Sequence, residues 1–267
     1  MTIEFPSTGR TTGTGTLAFL ATADAEALIA RCPQVARLLP SIVEALEHQT
    51  ETAPGLLFDL APFNDDERSL LTEILGEGEV AATVALPDGV VAEIVESIFP
   101  GLWRIRFVGS DNAIIADYAE VSAVPQAVRR AAAMTLPSLD LEGLPNGLMN
   151  APAVLAEIAD RSEHYRFGEP NHVISLTLLP MLPEDLELLV DRLGSGPIKI
   201  VSRGYGSCRV QATAIHNVWS VQFFNAMDAI LLDTIEVGDV PAAAKAAVED
   251  FRDSAVRLRE IGEAYFQ

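Results

Sequence analysis

Lysine is almost missing from this chain of 267 residues: Lys199 and Lys245 stand alone, and the remaining basic residues are arginine. Positive charge as a whole is scarce. Against 38 Asp and Glu there are 18 Lys and Arg, a formal charge of −20. A surface of that sign repels phosphate backbones and anionic lipid, which excludes nucleic acid as a partner and argues against membrane insertion. It suits a basic partner protein. Cysteine is equally sparse. Cys32 and Cys208 are too few for a disulfide framework and too far apart in sequence for a zinc-type pair. No long apolar run occurs either: the stretch near Leu17 is interrupted by Asp24 and Glu26, short of the ~20 residues of a membrane span. The first residues lack a basic region followed by an apolar one, so the expected location is the cytoplasm. The glycines of G-R-T-T-G-T-G, from Gly9, fit neither the dinucleotide nor the Walker spacing.

What the chain does have is a packable composition, 49% apolar, and a copy of part of itself. Trp103 and Trp219, the only two tryptophans, stand 116 apart (219 − 103 = 116). At the same interval lie Phe107 and Phe223, Asp117 and Asp233, Glu120 and Glu236, and Pro125 and Pro241. Upstream the interval is 118 (193 − 75 = 118), pairing Pro62 with Pro180 and the L-G-x-G of Leu75 with that of Leu193. A net loss of two residues in the intervening hairpin accounts for the change, since loops tolerate deletion.

Local patterns fill in the unit. A helix is expected from about Gln34 to His48, with Pro40 as a complication. Leu56 to Leu60 reads as a short strand, and Asn64 or Asp65 caps a helix that Gly76 stops. Two hairpin strands flank Pro87-Asp88-Gly89. Trp103, Ile105 and Phe107 alternate with Arg104 and Arg106, as in a half-buried strand. Ile114 to Val121 is the next strand, and Pro125 opens a helix. The second copy repeats this order and ends in a helix expected from Pro241 to about Tyr265. The predicted division is a flexible arm 1–16, a helical segment 17–54, a first repeat 55–136, a linker with a helix 137–172 and a second repeat 173–267. The fold class is α+β: two duplicated units, each a mostly antiparallel sheet with helices on one side, related by a pseudo-two-fold axis. Whether they share a sheet is left open.

No catalytic constellation stands out. Asp117, Glu120, Asp233 and Glu236 read as repeated structural ion pairs or caps, and Trp103 and Trp219 as repeated interaction or structural residues. Arg104 or Arg106 is the expected partner of Asp117, and Lys199, Arg203 or Arg209 that of Asp233. Cys208 lies in G-Y-G-S-C-R-V beside Arg203, Tyr205 and Arg209. Positive charge there would favour the thiolate, a soft ligand for iron, with His216 as a second candidate ligand. The alternative is a small buried strand residue. His164 and His172 read as solvated loop histidines.

Long motifs carry a resemblance: L-T-E-I-L-G-E-G-E-V at Leu71, E-S-I-F-P-G-L-W-R-I at Glu96, G-Y-G-S-C-R-V at Gly204 and N-V-W-S-V-Q-F-F-N-A-M-D at Asn217. With I-E-V-G-D-V-P and the tail E-D-F-R-D-S-A-V-R-L-R-E-I, they resemble the HupH/HyaF (HoxV) family of [NiFe]-hydrogenase expression and formation proteins, from about Gly55 onward. The resemblance implies a cytoplasmic chaperone or scaffold with no tightly bound cofactor. Its implied partners are a large- or small-subunit hydrogenase precursor and other maturation proteins, with Fe(CN)2CO as a transient cargo and a homodimer left open. Cys208 as an iron-handling residue follows from its chemistry and not from the family. Two other readings stand beside this one: an enzyme with its site between the repeats, using Asp233, Glu236 and Cys208, and a purely structural interaction module.

Overall fold

The computed structural model describes residues 30–145, 147–204 and 206–266. The arm 1–16 and the first part of the expected helical segment, 17–29, lie outside the described residues. Helix α1 (Pro33–His48) opens on a proline and buries Val35, Leu39, Ile42, Val43 and Leu46 along one stripe. Pro40 sits inside it and the helix runs on to His48. After strand β1 (Leu56–Asp59) comes α2 (Asp65–Leu75), fixed by a capping box in which Asn64 and Glu67 each accept the other's backbone N–H. Strands β2 (Val80–Ala85), β3 (Val91–Glu96), β4 (Leu102–Val108) and β5 (Ile114–Val121) follow, then α3 (Gln126–Ala132). The second half holds α4 (Ala151–His164), β6 (His172–Ser175), α5 (Pro183–Leu193), β7 (Ile198–Ser202), β8 (Ser207–Ala212), β9 (Val218–Phe224), β10 (Ile230–Val237) and α6 (Val248–Phe266).

All ten strands belong to one sheet, in the order β1-β5-β4-β3-β2-β7-β8-β9-β10-β6. The order is the same read inward from either edge. At the centre β2 pairs antiparallel with β7, with Val80 opposite Ser202, Ala82 opposite Ile200 and Val84 opposite Ile198. Positions 118 apart therefore meet at Ala82 and Ile200 (200 − 82 = 118). A bulge interrupts the β4–β5 pairing at Phe107–Val108 and the β9–β10 pairing at Ile230–Leu232.

The expectation of helices on one side of the sheet does not hold. Strand alternation sends Trp103, Ile105, Trp219 and Val221 to one face, where α3 covers them together with Ile198 and Ile200. Leu102 and Val121 point to the other face, into a core with α1, α2 and α6; Val218 and Ile235 do the same with α4 and α5. The first face carries the central core and the second carries two flanking cores. Between those flanking layers the sheet stays open to water at Ala81, Ala85, Glu93, Lys199 and Gln211.

Two boundary expectations change. Pro125 is the residue before α3 and not its first residue. The last helix does not begin at Pro241. Ala242–Ala244 make one 3-10 turn, Lys245 is extended, and the Ala246 N–H donates to the Ala123 carbonyl at 3.0 Å. The chain restarts as a helix where the Asp250 carboxylate accepts the Ala247 N–H at 2.9 Å. Alanine favours helix, but here a tertiary hydrogen bond takes the backbone donor first.

The repeated L-G-x-G has a steric cause. Gly76 and Gly194 end α2 and α5 at φ 56 and 61, a left-handed backbone that favours glycine. Gly78 and Gly196 sit flat against backbone: a Cβ would lie 2.3 Å from the Ser97 carbonyl oxygen in one case and 2.2 Å from that of Thr213 in the other.

Candidate interaction surface

The tryptophans are anchors. Each buried indole N–H donates to a carbonyl 19 residues on, Trp103 to Ser122 at 2.8 Å and Trp219 to Gly238 at 3.3 Å. Both hydrogen bonds tie the start of a strand to the end of its neighbour beneath the central core.

Asp117 and Asp233 sit at matching places on β5 and β10 with different company. Asp117 is buried and held by two guanidinium groups. Arg104 donates through Nε at 3.1 Å and Nη2 at 2.8 Å, and Arg68 of α2 through Nη1 at 3.0 Å. Arg104 is the expected partner; Arg106 is not, and Arg68 was invisible to local reading because it arrives from a helix 49 residues away. Asp233 meets none of its expected cations. It accepts one hydrogen bond from Gln222 Nε2 at 3.1 Å, and burial pushes its carboxyl up against that bond. Arg209 instead stacks on the Phe224 ring at 4.2 Å and approaches Asp228 at 4.0 Å.

Glu120 is fully buried. Its Oε1 accepts the Gln126 N–H at 2.9 Å and its Oε2 has no partner among the described residues. Burial raises its carboxyl, and the Gln126 N–H works against that rise. Glu236 accepts from Asn171 Nδ2 at 3.0 Å. Neither acid has an ion-pair partner among the described residues.

Of the two readings of Cys208, its surroundings match the small buried strand residue. Cys208 faces the central core, opposite Ser202 and Phe223, and burial, with the charge of Glu236, pushes its thiol up to about 11. Arg209 follows it in sequence and so points to the other face of the sheet. Tyr205 lies outside the described residues. His216 does not join Cys208: it lies beyond the far end of β8, about 13 Å or more along the strand at ~3.3 Å per residue. Its Nδ1 is 3.1 Å from the Ala132 carbonyl and 3.4 Å from Thr135 Oγ1, so it ties the chain after α3 to the β8–β9 turn. Asp233, which hydrogen-bonds Gln222, lies on the face opposite Cys208, so the three residues of the enzyme reading do not converge. Among the described residues no group of three or more His, Cys, Asp or Glu is placed to hold a metal. His172 meets Glu157 at 2.6 Å, and His164 packs on the Asp160 carbonyl at 2.7 Å.

One acid gives a pH signature. Glu96 is buried, accepts the Gly101 N–H at 3.1 Å, and its carboxyl is pushed by burial from 4.5 to about 7, against the pull of that N–H. The folded chain therefore holds a proton between those values that the unfolded chain has lost. The stabilisation is complete below 4.5 and disappears as pH rises through 7, to a total of about 3 kcal/mol at 1.36 kcal/mol per unit. Glu96→Gln keeps the acceptor oxygen and removes this slope. Urea unfolding at pH 5 and pH 8 should show the variant gaining on the wild type as pH rises.

Two further carboxylates were missed. Glu67 accepts the Gln34 N–H of α1 at 3.0 Å, and Asp185 accepts those of Met149, Asn150 and Ala151 at the start of α4 at 3.0 to 3.2 Å. Each also caps its own helix, through Asn64 and Leu182. They are 118 apart (185 − 67 = 118), and the tell was an acid at the third position of both α2 and α5.

The surface itself is lopsided. Between α2 and the β4–β5 hairpin lies a cleft of ≈ 800 Å³ lined by Arg68, Thr72, Arg104, Arg106, Ile114 and Ile115. The matching places in the second half are apolar at the helix: α5 carries Leu186 and Val190 at i and i+4, both exposed beside its buried stripe of Leu189 and Leu193, and Leu182 just before the helix is exposed too. Leu178, Ile230 and Leu231 are exposed in the same half. That second apolar stripe was readable in the sequence. Among the described residues no helix is long and apolar enough to cross a membrane.

A family model described as "HupH hydrogenase expression protein, C-terminal conserved region" matches twice, over residues 32–137 and 148–265. Both spans begin ahead of the repeats read from sequence and take in α1 and α4. The chain is 53% identical over 251 residues to the hydrogenase expression/formation protein HupH of Rhizobium leguminosarum bv. viciae, covering 94% of this chain and 89% of that one. It is 41% identical to the hydrogenase expression/formation protein HoxQ of Cupriavidus necator, over 87% and 82% of the two chains. The hydrogenase-1 operon protein HyaF of Escherichia coli is 34% identical, over 87% and 81%.

Proposed function

Because the chain belongs to the HupH family of hydrogenase expression proteins, we propose that it serves hydrogenase maturation as an accessory scaffold that binds a hydrogenase subunit precursor in the cytoplasm. The observation that carries this is the length of the match: the Rhizobium relative aligns over 94% of this chain, so its named role concerns the whole molecule and not a shared module. Exposed apolar side chains on α5 and the β9–β10 hairpin suit a partner-binding protein.

The scaffold is an internal duplication of units 32–137 and 148–265, related by a pseudo-two-fold axis through Ala82 and Ile200. Supporting it are the two family matches, the mirrored strand order and the repeated bulge. The positive-φ residues also recur, at Gly76 and Gly194, Gly101 and Asn217, and Asn112 and Asp228. Helices α1 and α4 then open each unit, held by Glu67 and Asp185.

The test is an anaerobic pull-down from a hydrogenase-expressing host, read by mass spectrometry, iron content and cyanide and carbonyl infrared bands. A co-purifying large-subunit precursor with iron and those bands places the chain at transfer of the Fe(CN)2CO cargo. A small-subunit precursor without them places it at assembly of that subunit. Recovery of neither, where a control maturation pair is captured, overturns the scaffold reading.

A further inference from the structure

The first half of the molecule shows what the second half lacks. In the first, Asp117 is neutralised by Arg68 and Arg104, and Arg104 in turn meets Thr72 Oγ1. The counterparts are Leu186 for Arg68 and Val190 for Thr72 (186 − 68 = 118), and Ser220 for Arg104 and Gln222 for Arg106 (220 − 104 = 116). The carboxylate has been kept, as Asp233, and both of its guanidinium partners have been replaced by neutral residues. A half-buried carboxylate with one amide for company is poorly compensated for the water it has lost. At the counterpart positions Leu186, in place of Arg68, is 41% exposed, Val190, in place of Thr72, is 74%, and Leu231, in place of Ile115, is 60%. In the first half, Ile114 and Ile115 line the cleft with Arg68 and Thr72; Ile230 and Leu231 hold those places in the second.

We propose that the surface formed by α5 and the β9–β10 hairpin, at the places where the first half has its cleft, receives a polypeptide segment of a partner protein that sets an arginine against Asp233 and apolar side chains against Leu186, Val190 and Leu231. The proposal rests on the reading of the chain as a partner-binding scaffold and names the surface and the chemistry of the segment. A guanidinium is the group the site is built for, because its fork satisfies a carboxylate in two directions, as Arg104 does for Asp117. Among the described residues no ion pair reaches Asp233: Arg209, two strands away on β8, lies over the Phe224 ring and approaches Asp228. Exposed Glu187, Asp191 and Asp228 add negative charge at the rim, which steers a basic segment inward.

The probe is a fluorescein-labelled helical peptide of leucine, alanine and glutamine with one central arginine, compared with the same peptide carrying citrulline. Binding is followed by fluorescence anisotropy with the full chain. The wild type should bind the arginine peptide at least tenfold more tightly, and Asp233→Asn should erase the difference. Leu186→Arg supplies the counterpart of Arg68, one of the two first-half guanidinium groups; it should block both peptides and raise the unfolding midpoint, which separates occlusion from misfolding. Val256→Glu, on the exposed face of α6, should change nothing. Equal affinity for the two peptides, or an unaffected Asp233→Asn, overturns the proposal. So does sedimentation showing a dimer that Leu186→Arg disperses, because the occupant is then a second copy of the chain. Precursor captured equally by wild type, Asp233→Asn and Leu186→Arg sinks this inference and leaves the scaffold reading intact. Peptide discrimination without precursor capture sinks the scaffold reading alone.

Discussion

Gly78→Ala should cost about 3 kcal/mol or more, at the top of the range for overpacking. The added Cβ would sit 2.3 Å from the Ser97 carbonyl oxygen and 3.0 Å from that of Glu96. Neither atom can rotate away, because both belong to the backbone where β3 leaves the sheet. The strain also threatens the 2.7 Å hydrogen bond from the Gly78 N–H to the Glu96 carbonyl. Gly196→Ala should cost a similar amount, since its Cβ would lie 2.2 Å from the Thr213 oxygen. Equilibrium urea unfolding of the two variants measures both. Gly143→Ala is a comparison in which a Cβ meets nothing within 4 Å and only the backbone conformation is at stake. A loss below 1 kcal/mol for Gly78→Ala would mean that the α2–β2 connection relaxes, and that the glycine is kept for another reason.

Asp117→Asn should destabilise the chain by about 3 kcal/mol, whereas Asp233→Asn should not destabilise it at all. The first removes a buried carboxylate from between Arg68 and Arg104 and leaves two guanidinium groups facing each other without their counter-charge. The second removes a charge that burial already disfavours and keeps an oxygen for Gln222. Denaturation midpoints at neutral pH decide it. Equal losses at the two positions would show that an unseen cation serves Asp233, and the contrast between the halves would collapse.

Much of this architecture is legible in the sequence because its causes are local. Alternation in W-R-I-R-F-V gives β4 and the direction of its side chains. The Asn64–Glu67 spacing gives the cap of α2, and the 116-residue register gives the recurrence. What is not legible depends on which distant surfaces meet. The chain nowhere encodes in a short window that β2 lies beside β7, 118 residues away, so the single sheet could not be read. Arg68 becomes the second partner of Asp117 only after α2 has docked. The thiolate alternative at Cys208 rests on neighbours in sequence, and Arg209 is adjacent along the chain but on the opposite face across the strand. The signal that would have corrected it, the two-residue period of S-C-R-V-Q-A, was present. In Pro241–Ala247 composition favoured helix, and a single donor bond to Ala123 decided otherwise.

The seam where β2 meets β7 gives the molecule the character of a dimer tied by its own backbone. An interface between separate subunits would weaken on dilution. Here the chain from α3 to α4 holds the two edges at a fixed effective concentration, so the pairing is independent of how much protein is present. The arrangement has a cost during synthesis. Until β7 emerges, β2 is an open edge with Ala82 and Val84 on its inner side and no charged residue within Val80–Ala85 to discourage pairing with another chain. A first half that folded before β7 emerged would be competent to pair with a neighbouring copy of itself. Completion of the second half is what closes the sheet and ends that exposure.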